Sequence, residues 1–438
     1  MVLSGSQEGV STPAFGGGTA IIDTDANTLR FEISFADLSA AETAAHIHGP
    51  ADPGVPAGVL FALPAGNPKI GVWNYPEAME ADILAGRMYV NIHSGNHTSG
   101  EIRGQITSST ATLDGVQETP PSGSAARGVG IFMLDTQANQ LRYYISFEGL
   151  EGTETAAHIH GFALHGTPAG VIHTLPLGSP KIGVFNYSEP QEEALVSGLA
   201  YVNIHSSIHP DGEIRGQIVG LVVPMHGGQQ VPPNASTAGG MGLVSFDRSQ
   251  NTLSYYIWVG GLSSAETVAH IHGFAPRGVN AGVQQPLPLG LRKSGVWNFG
   301  AANQAAVFGG NSYFNVHTAS FADGEIRGQI EGFYRKLPVD APELESGPSA
   351  FGRAVPNPFA DATTIQFDMK AAGAVRVAIY DARGRLVRTL ASGEHARGPH
   401  HVSWDGLDQQ GRAVSRGVYR YVVDTARGRK TGSLTLLR

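Results

Sequence analysis

Nine histidines fall into three sets that recur along the chain: His46, His48 and His93; His158, His160 and His205; His270, His272 and His317. Corresponding members are 112 residues apart, and each set reads A-H-I-H-G followed by a tyrosine-led strand ending in histidine. In a β-strand residues i and i+2 project to one face. His46 and His48 therefore project together, with Ile47 opposite. In Tyr89–His93 the same alternation sets Val90 and Ile92 against His93. If Ile47, Val90 and Ile92 face a core, the three imidazoles meet on the outer face where the two strands lie side by side. Three neutral imidazoles suit zinc or copper and leave a fourth position for water or an acidic side chain. The same grouping also serves as a hydrogen-bonded brace tying the HIH and NIH strands to the arginine of the following GEIRG segment. The spacing leaves both readings open.

The remaining histidines separate from this pattern. His97 and His209 align with each other but with Phe321 in the third repeat, and offer a fourth ligand in two repeats. His165 aligns with Pro53 and Arg277, and His173 with Phe61 and Gln285, while His226, His395, His400 and His401 have no counterpart. All of these are read as incidental. Glu101 and Arg103, with Glu213, Arg215, Glu325 and Arg327, share a strand face and read as a structural ion pair or as orienting partners of the histidines. Trp73, Phe185 and Trp297 read as core aromatics. No phosphate loop, nucleophile elbow or recurring carboxylate pair accompanies them.

The elements that must position the histidines recur in the same order. A GxQ segment (Gly5–Gln7, Gly115–Gln117, Gly227–Gln229) precedes a hairpin such as GTAIIDTDANTLRFEISF, with a turn around Asp25–Asn27. The HIH strand, a Gly/Pro-rich loop, a short apolar strand (Val59–Leu63, Val171–Leu175) and GVWN or GVFN follow. A brief helical stretch (PEAMEADILAG, EEALVSG, QAAVFGG) then leads to the NIH strand and GEIRGQI. Seven or eight short strands per repeat predict an all-β fold: three tandem antiparallel β-sandwich or barrel repeats plus a smaller C-terminal immunoglobulin-like sandwich. The repeats are placed at 1–109, 110–221 and 222–334, a Pro- and acid-rich linker at 335–351, and the last domain at 352–438.

The chain has 438 residues, 15% of them charged, with 58 glycines and 26 prolines, which suits short strands and tight turns. It has no cysteine, so disulfides, thiol chemistry and Cys-ligated zinc are excluded. The net charge of −8 is uneven: residues 350–438 hold 14 Lys/Arg against 7 Asp/Glu, leaving 15 against 30 in residues 1–349. An acidic array excludes a nucleic-acid partner. No apolar run approaches the roughly 18 residues of a membrane helix, and the N-terminus lacks a secretory signal.

The ordered set AAHIHG, GVWN, YVNIHS and GEIRGQI resembles the CHRD (chordin-type) domain, in three copies over residues 1–334. That resemblance implies a β-sandwich-like module and an extracellular setting, with no settled activity. The HxH pair with a distant histidine is also similar to the copper ligands of copper/zinc superoxide dismutase. It departs from them in lacking a bridging histidine, a zinc loop with an aspartate ligand and a cysteine pair. Residues 352–438, through VPNPF at 355–359, VRVAIYDARGRLVRTL, WDGLDQQGRAVSRGVYRYVV and KTGSLTLLR, resemble the type A sorting domain of the type IX secretion system and flagellar hook-capping immunoglobulin-like domains. This implies the type IX machinery as a partner, and a start that is processed or misassigned.

The expectation is thus an exported, surface-located binding or structural protein without catalysis, with one copper or zinc per repeat on the nine histidines. Two alternatives stand beside it: a self-assembling surface or filament protein whose histidines only brace strands, and a copper-dependent redox enzyme of the dismutase type.

Overall fold

The computed structural model describes residues 1–331 except 25 and 137, and 353–437 except 356, 358, 370, 371, 382–384, 397, 426 and 427. The expected linker at 335–351 lies outside the described residues, as does Asp25 of the first hairpin turn. The chain divides into two compact units, Met1–Asp340 and Ala341–Arg438.

The first repeat forms eight strands: β1 (Val2–Ser4), β2 (Phe15–Asp23), β3 (Thr28–Ala36), β4 (Glu42–His48), β5 (Val59–Ala62), β6 (Lys69–Asn74), β7 (Tyr89–Ser94) and β8 (Ile102–Gln105). They pair antiparallel in the order β5-β4-β7-β8-β1-β2-β3-β6, and residues 109–217 and 221–330 repeat that order. The crossovers bring β4 and β7, distant in sequence, side by side at one end of a nearly closed sheet. The β2–β3 hairpin turns on Asn27 at φ 52°, with Asn139 and Asn251 in the same conformation at 53° and 55°. Asparagine tolerates this left-handed geometry better than most residues.

Alternation places the core. On β3, Leu29, Phe31 and Ile33 are buried, alternating with the partly exposed Thr28 and Glu32 and the exposed Arg30. Ile47 from β4, Val90 and Ile92 from β7 and Ile102 from β8 join them around Trp73. Phe185 and Trp297 occupy the same place in the other two cores, as expected. The short helix α1 (Glu80–Leu84) closes one end by burying Ile83. It stops at Gly86, whose φ of 72° suits glycine and whose N–H bonds the Ile83 carbonyl at 3.0 Å.

A buried lysine, unremarked in the sequence reading, pins β4 to β6 in each repeat. Lys69 pairs with Glu42, Lys181 with Glu154, and Lys293 with Glu266 at 2.6 Å, each ammonium fully buried. Burial lowers the pKa of Lys69, and Glu42 partly offsets this.

The repeats also share an apolar seam. Val2, Phe15 and Ala36 of the first repeat, Val129 and Val219 of the second, and Val222, Met241, Leu243 and Tyr256 of the third form one cluster. Phe15 stacks on Trp258 with ring centres 4.2 Å apart.

The second unit has a three-stranded sheet (Arg353–Val355, Thr363–Met369, Gly398–Trp404) and a four-stranded one ordered Leu386–His395, Gly373–Asp381, Gly417–Thr425, Gly428–Leu436. Phe359, Ile365, Val377, Trp404 and Leu434 are among its buried residues.

Candidate metal centre

β4 turns Ile47 into the core and His46 and His48 away from it; β7 does the same with Val90 and Ile92 against His93. The pairing His46↔Asn91 and Ala44↔His93 sets the three rings together. The structure thus assembles all three predicted triads: in each, one ring nitrogen per histidine lies within 4.8 Å of the other two. They are outside the barrel core; the second and third triads are partly buried, and the first is the most covered. His48 is 8% and His93 9% exposed, because the 49–58 and 94–100 loops fold over them.

Backbone carbonyls set the tautomers. His48 Nδ1 lies 3.0 Å from Ala57 O, and His93 Nδ1 lies 3.0 Å from Thr98 O. A carbonyl only accepts, so Nδ1 carries the proton and Nε2 keeps its lone pair. His160 and His272 repeat this with Ala169 O at 2.8 Å and Ala281 O at 2.9 Å. His205 and His317 do so with Pro210 O and Ala322 O, both at 2.9 Å. The freed Nε2 atoms of His48, His160, His272 and His317 are buried without a hydrogen-bond partner, as is Nδ1 of His270. His46 Nδ1 and His93 Nε2 stand 3.3 Å apart, as do His158 Nδ1 and His205 Nε2. Tetrahedral zinc with bonds of about 2.05 Å separates its nitrogen ligands by about 3.3 Å. Burial, reinforced by the neighbouring imidazoles, lowers the pKa of His46, His158 and His270, and burial likewise lowers those of His48, His160 and His272. The shift in these six favours the neutral form that binds metal.

A stacked column supports the buried member of each triad. His48 lies parallel to Tyr89 with centres 5.0 Å apart, and the Arg103 guanidinium sits 3.4 Å over the Tyr89 ring. Tyr89 Oη accepts the Ala57 N–H at 2.9 Å, and Arg103 donates to Val55 O at 3.0 Å. His160–Tyr201–Arg215 and His272–Tyr313–Arg327 repeat the column.

Glu101 and Arg103 do not form the expected ion pair. Glu101 instead accepts from Ser39 N at 2.8 Å and Thr12 Oγ1 at 2.6 Å, tying two loops to β8. Burial raises its pKa, but hydrogen bonds from Ser94, Thr12 and Ser39 outweigh that and the net shift is downward. Arg103 is the orienting partner, acting through Tyr89 and the covering loop.

His97 and His209 are not among the residues grouped with the triads; His209 Nε2 lies 2.8 Å from Glu151. His173 stacks on Phe185 at the core edge, and His395 and His400 lie together against Phe367. His165 and His226 are buried between repeats, beside Tyr256 and Glu32 respectively. The sequence reading also passed over Glu8 and Glu118, which follow the GxQ segment where the third repeat has Gln230. Burial raises both carboxyls, Glu118 to about 7 despite Arg215. Glu118 reaches Asn203, the strand partner of His158, and Gln230 bonds the equivalent Asn315 at 2.7 Å. The recurring acid or amide after GxQ was the available signal.

Eight-stranded antiparallel barrels, each with a triad of histidines beside a covering loop, define the class: a β-barrel repeat protein with three equivalent polar centres. The chain belongs to the CHRD domain family, which matches residues 1–106, 109–218 and 221–330, and residues 354–429 match the FlgD Ig-like domain. Chordin of Xenopus laevis is 27% identical over 250 residues, covering 50% of this chain and 26% of that protein. Chordin of Danio rerio is 30% identical over 158 residues, covering 31% and 17%. The chain thus spans about a quarter or less of the length of these relatives. Among solved structures, dimeric latent PorU of Porphyromonas gingivalis covers 76% of this chain and 34% of its own at 12% identity and TM-score 0.18. PorZ of the same bacterium, a surface component of its type-IX secretion system, covers 98% and 59% at 11% identity and TM-score 0.16. No helix among the described residues is long and apolar enough to cross a membrane.

Proposed function

We propose that this is an exported, surface-associated binding or structural protein in which each CHRD repeat holds one copper or zinc ion on its histidine triad, without catalysis. The carrying observation is the set of buried imidazole nitrogens that have no partner while the opposite nitrogen of the same ring is committed to a carbonyl. One nitrogen fixed by a carbonyl and the other free is the arrangement a metal-binding imidazole needs. The reading takes residues 1–109, 110–221 and 222–334 as the repeats and 352–438 as a sorting domain for type IX secretion, in keeping with the FlgD Ig-like match. The extracellular setting rests on the resemblance to chordin-type domains.

Metal analysis of chain purified without chelator tests the reading: about three equivalents of copper or zinc per chain are expected. A chain that stays metal-free after incubation with either ion and desalting overturns it.

A further inference from the structure

The loop that covers each triad also touches a neighbouring repeat, in the cyclic order first on second, second on third, third on first. In the first repeat, a Cβ on Gly54 would stand 3.0 Å from Tyr144 Oη. In the second, the His165 ring lies 6.1 Å from that of Tyr256, whose hydroxyl bonds Asp114. In the third, Arg277 donates to Glu32 at 2.8 Å. Glu32, Tyr144 and Tyr256 are one repeat position, spaced by 112 residues, as are Pro53, His165 and Arg277 in the aligned loops.

The third contact differs in chemistry, and the connectivity explains why. Residues 106–108 and 218–220 join successive repeats covalently, which holds each pair together at high effective concentration. The third and first repeats have no such short link and must recognise each other across the rest of the chain. Their interface supplies directional contacts: Glu32 accepts from Arg277, from Gln229 Nε2 at 3.1 Å and pairs with His226 Nε2 at 2.9 Å, while Ser34 Oγ donates to Met225 O at 2.8 Å. Gly239 has no room for a Cβ, because the Phe35 carbonyl occupies that space.

Arg277 sits in the middle of the loop that completes the third centre. That loop gives Ala281 O to His272 and Val279 O to Arg327, and Ala281 N–H donates to Tyr313 Oη at 2.9 Å. We infer that Glu32, a residue of the first repeat, is a positioning residue for the third histidine centre, holding the Arg277 loop over His272 when the third repeat closes onto the first. The inference rests on the metal reading for its consequence, but its geometry is independent of it. Arg277 also donates to Glu331 of its own repeat at 2.8 Å, so Glu32 is the second anchor, supplied only when the third repeat closes onto the first; the first and second centres do not depend on Glu32.

The test uses full-length chains carrying one intact triad each. One retains His270, His272 and His317, with His46, His93, His158 and His205 changed to Ala. The other retains His46, His48 and His93, with His158, His205, His270 and His317 changed to Ala. Glu32→Gln is introduced into both, and zinc affinity is measured by chelator competition. The third-centre chain should lose roughly tenfold or more, the scale of an orienting partner, and the first-centre chain should change less than twofold. An equal loss in both, a loss confined to the first-centre chain, or no loss in either overturns the inference. Arg277→Gln, made from the loop side, must reproduce the pattern. Amide exchange in metal-free wild-type and Glu32→Gln chains gives a second readout: residues 275–281 should exchange faster, with residues 51–57 unchanged. If no chain binds zinc, the metal reading fails while the exchange result still decides the role of Glu32.

Discussion

His48 Nδ1 and the carbonyl oxygen of Ala57, nine residues further along the chain, stand 3.0 Å apart, and this bond determines which face of the imidazole is free. Because the carbonyl accepts, the ring presents Nε2 to the space shared with His46 and His93. The loop that closes over the triad is thus the same loop that fixes its protonation pattern.

The first prediction concerns stoichiometry. Replacing both His46 and His93 by Ala should reduce bound copper or zinc from about three to about two equivalents. The metal-free chain should lose only about 1–3 kcal/mol, for the His93–Thr98 and His46–His93 hydrogen bonds. A large loss of stability in the metal-free state with no change in metal content would instead favour the brace.

Tyr89→Phe isolates the column from the ligands. The ring stack with His48 survives, but the Ala57 N–H loses its acceptor at 2.9 Å. We expect a cost of about 1–3 kcal/mol for the unsatisfied amide and roughly tenfold weaker metal binding at that repeat alone. Isothermal titration of the single-triad chain measures the second effect and thermal melting the first.

Glu118 gives the fold a pH dependence. Its carboxyl is raised to about 7 by burial, so between about pH 4.5 and 7 the folded state holds a proton that the unfolded state has released. More protons bound in the native state means stability falls as pH rises through that window. A shift of this size corresponds to at most about 3 kcal/mol. Glu118→Gln should flatten the slope and stabilise the chain at pH 7, as Gln230 already fits the equivalent site. Urea midpoints at pH 5 and pH 7 for both chains provide the check; an unchanged slope in the variant counts against the assignment.

Lys181→Met should be among the most damaging single changes outside the cores. The ammonium is fully buried against Glu154 and also donates to Pro176 O at 2.7 Å and Gly178 O at 3.0 Å. Leaving that carboxylate and two carbonyls unpaired costs about 3–5 kcal/mol. Replacing Glu154 as well, by Leu, should recover part of the loss, which a double-mutant cycle in urea would quantify.

Strand alternation was legible because it is local. The placement of Ile47 against His46 and His48 follows from a period of two, and the eight-stranded repeat, the helix at Glu80–Leu84 and the buried Trp73 all follow from patterns within a few residues of each other. For the same reason the spacing leaves open whether Glu101 and Arg103 pair with each other or orient the histidines. Sharing a strand face brings two side chains near each other, but their partners are chosen by loops that arrive from elsewhere: Thr12 and Ser39 for the acid, Val55 and Tyr89 for the base. His226 and His165 looked incidental because each has no repeat counterpart. Their lack of a counterpart reflects interfaces that differ from one repeat boundary to the next.

By itself the sequence determined the repeat, its strands, the nine histidines and the face on which they stand, since each depends on period and spacing that any strand pairing preserves. Only the tertiary structure decided that loops lie over the triads, which ring nitrogen is free, and that Glu32 of the first repeat meets Arg277 of the third. Those outcomes depend on long crossover connections and on packing between repeats, where the free energy of contact is set by which surfaces meet in space rather than by neighbours in the chain.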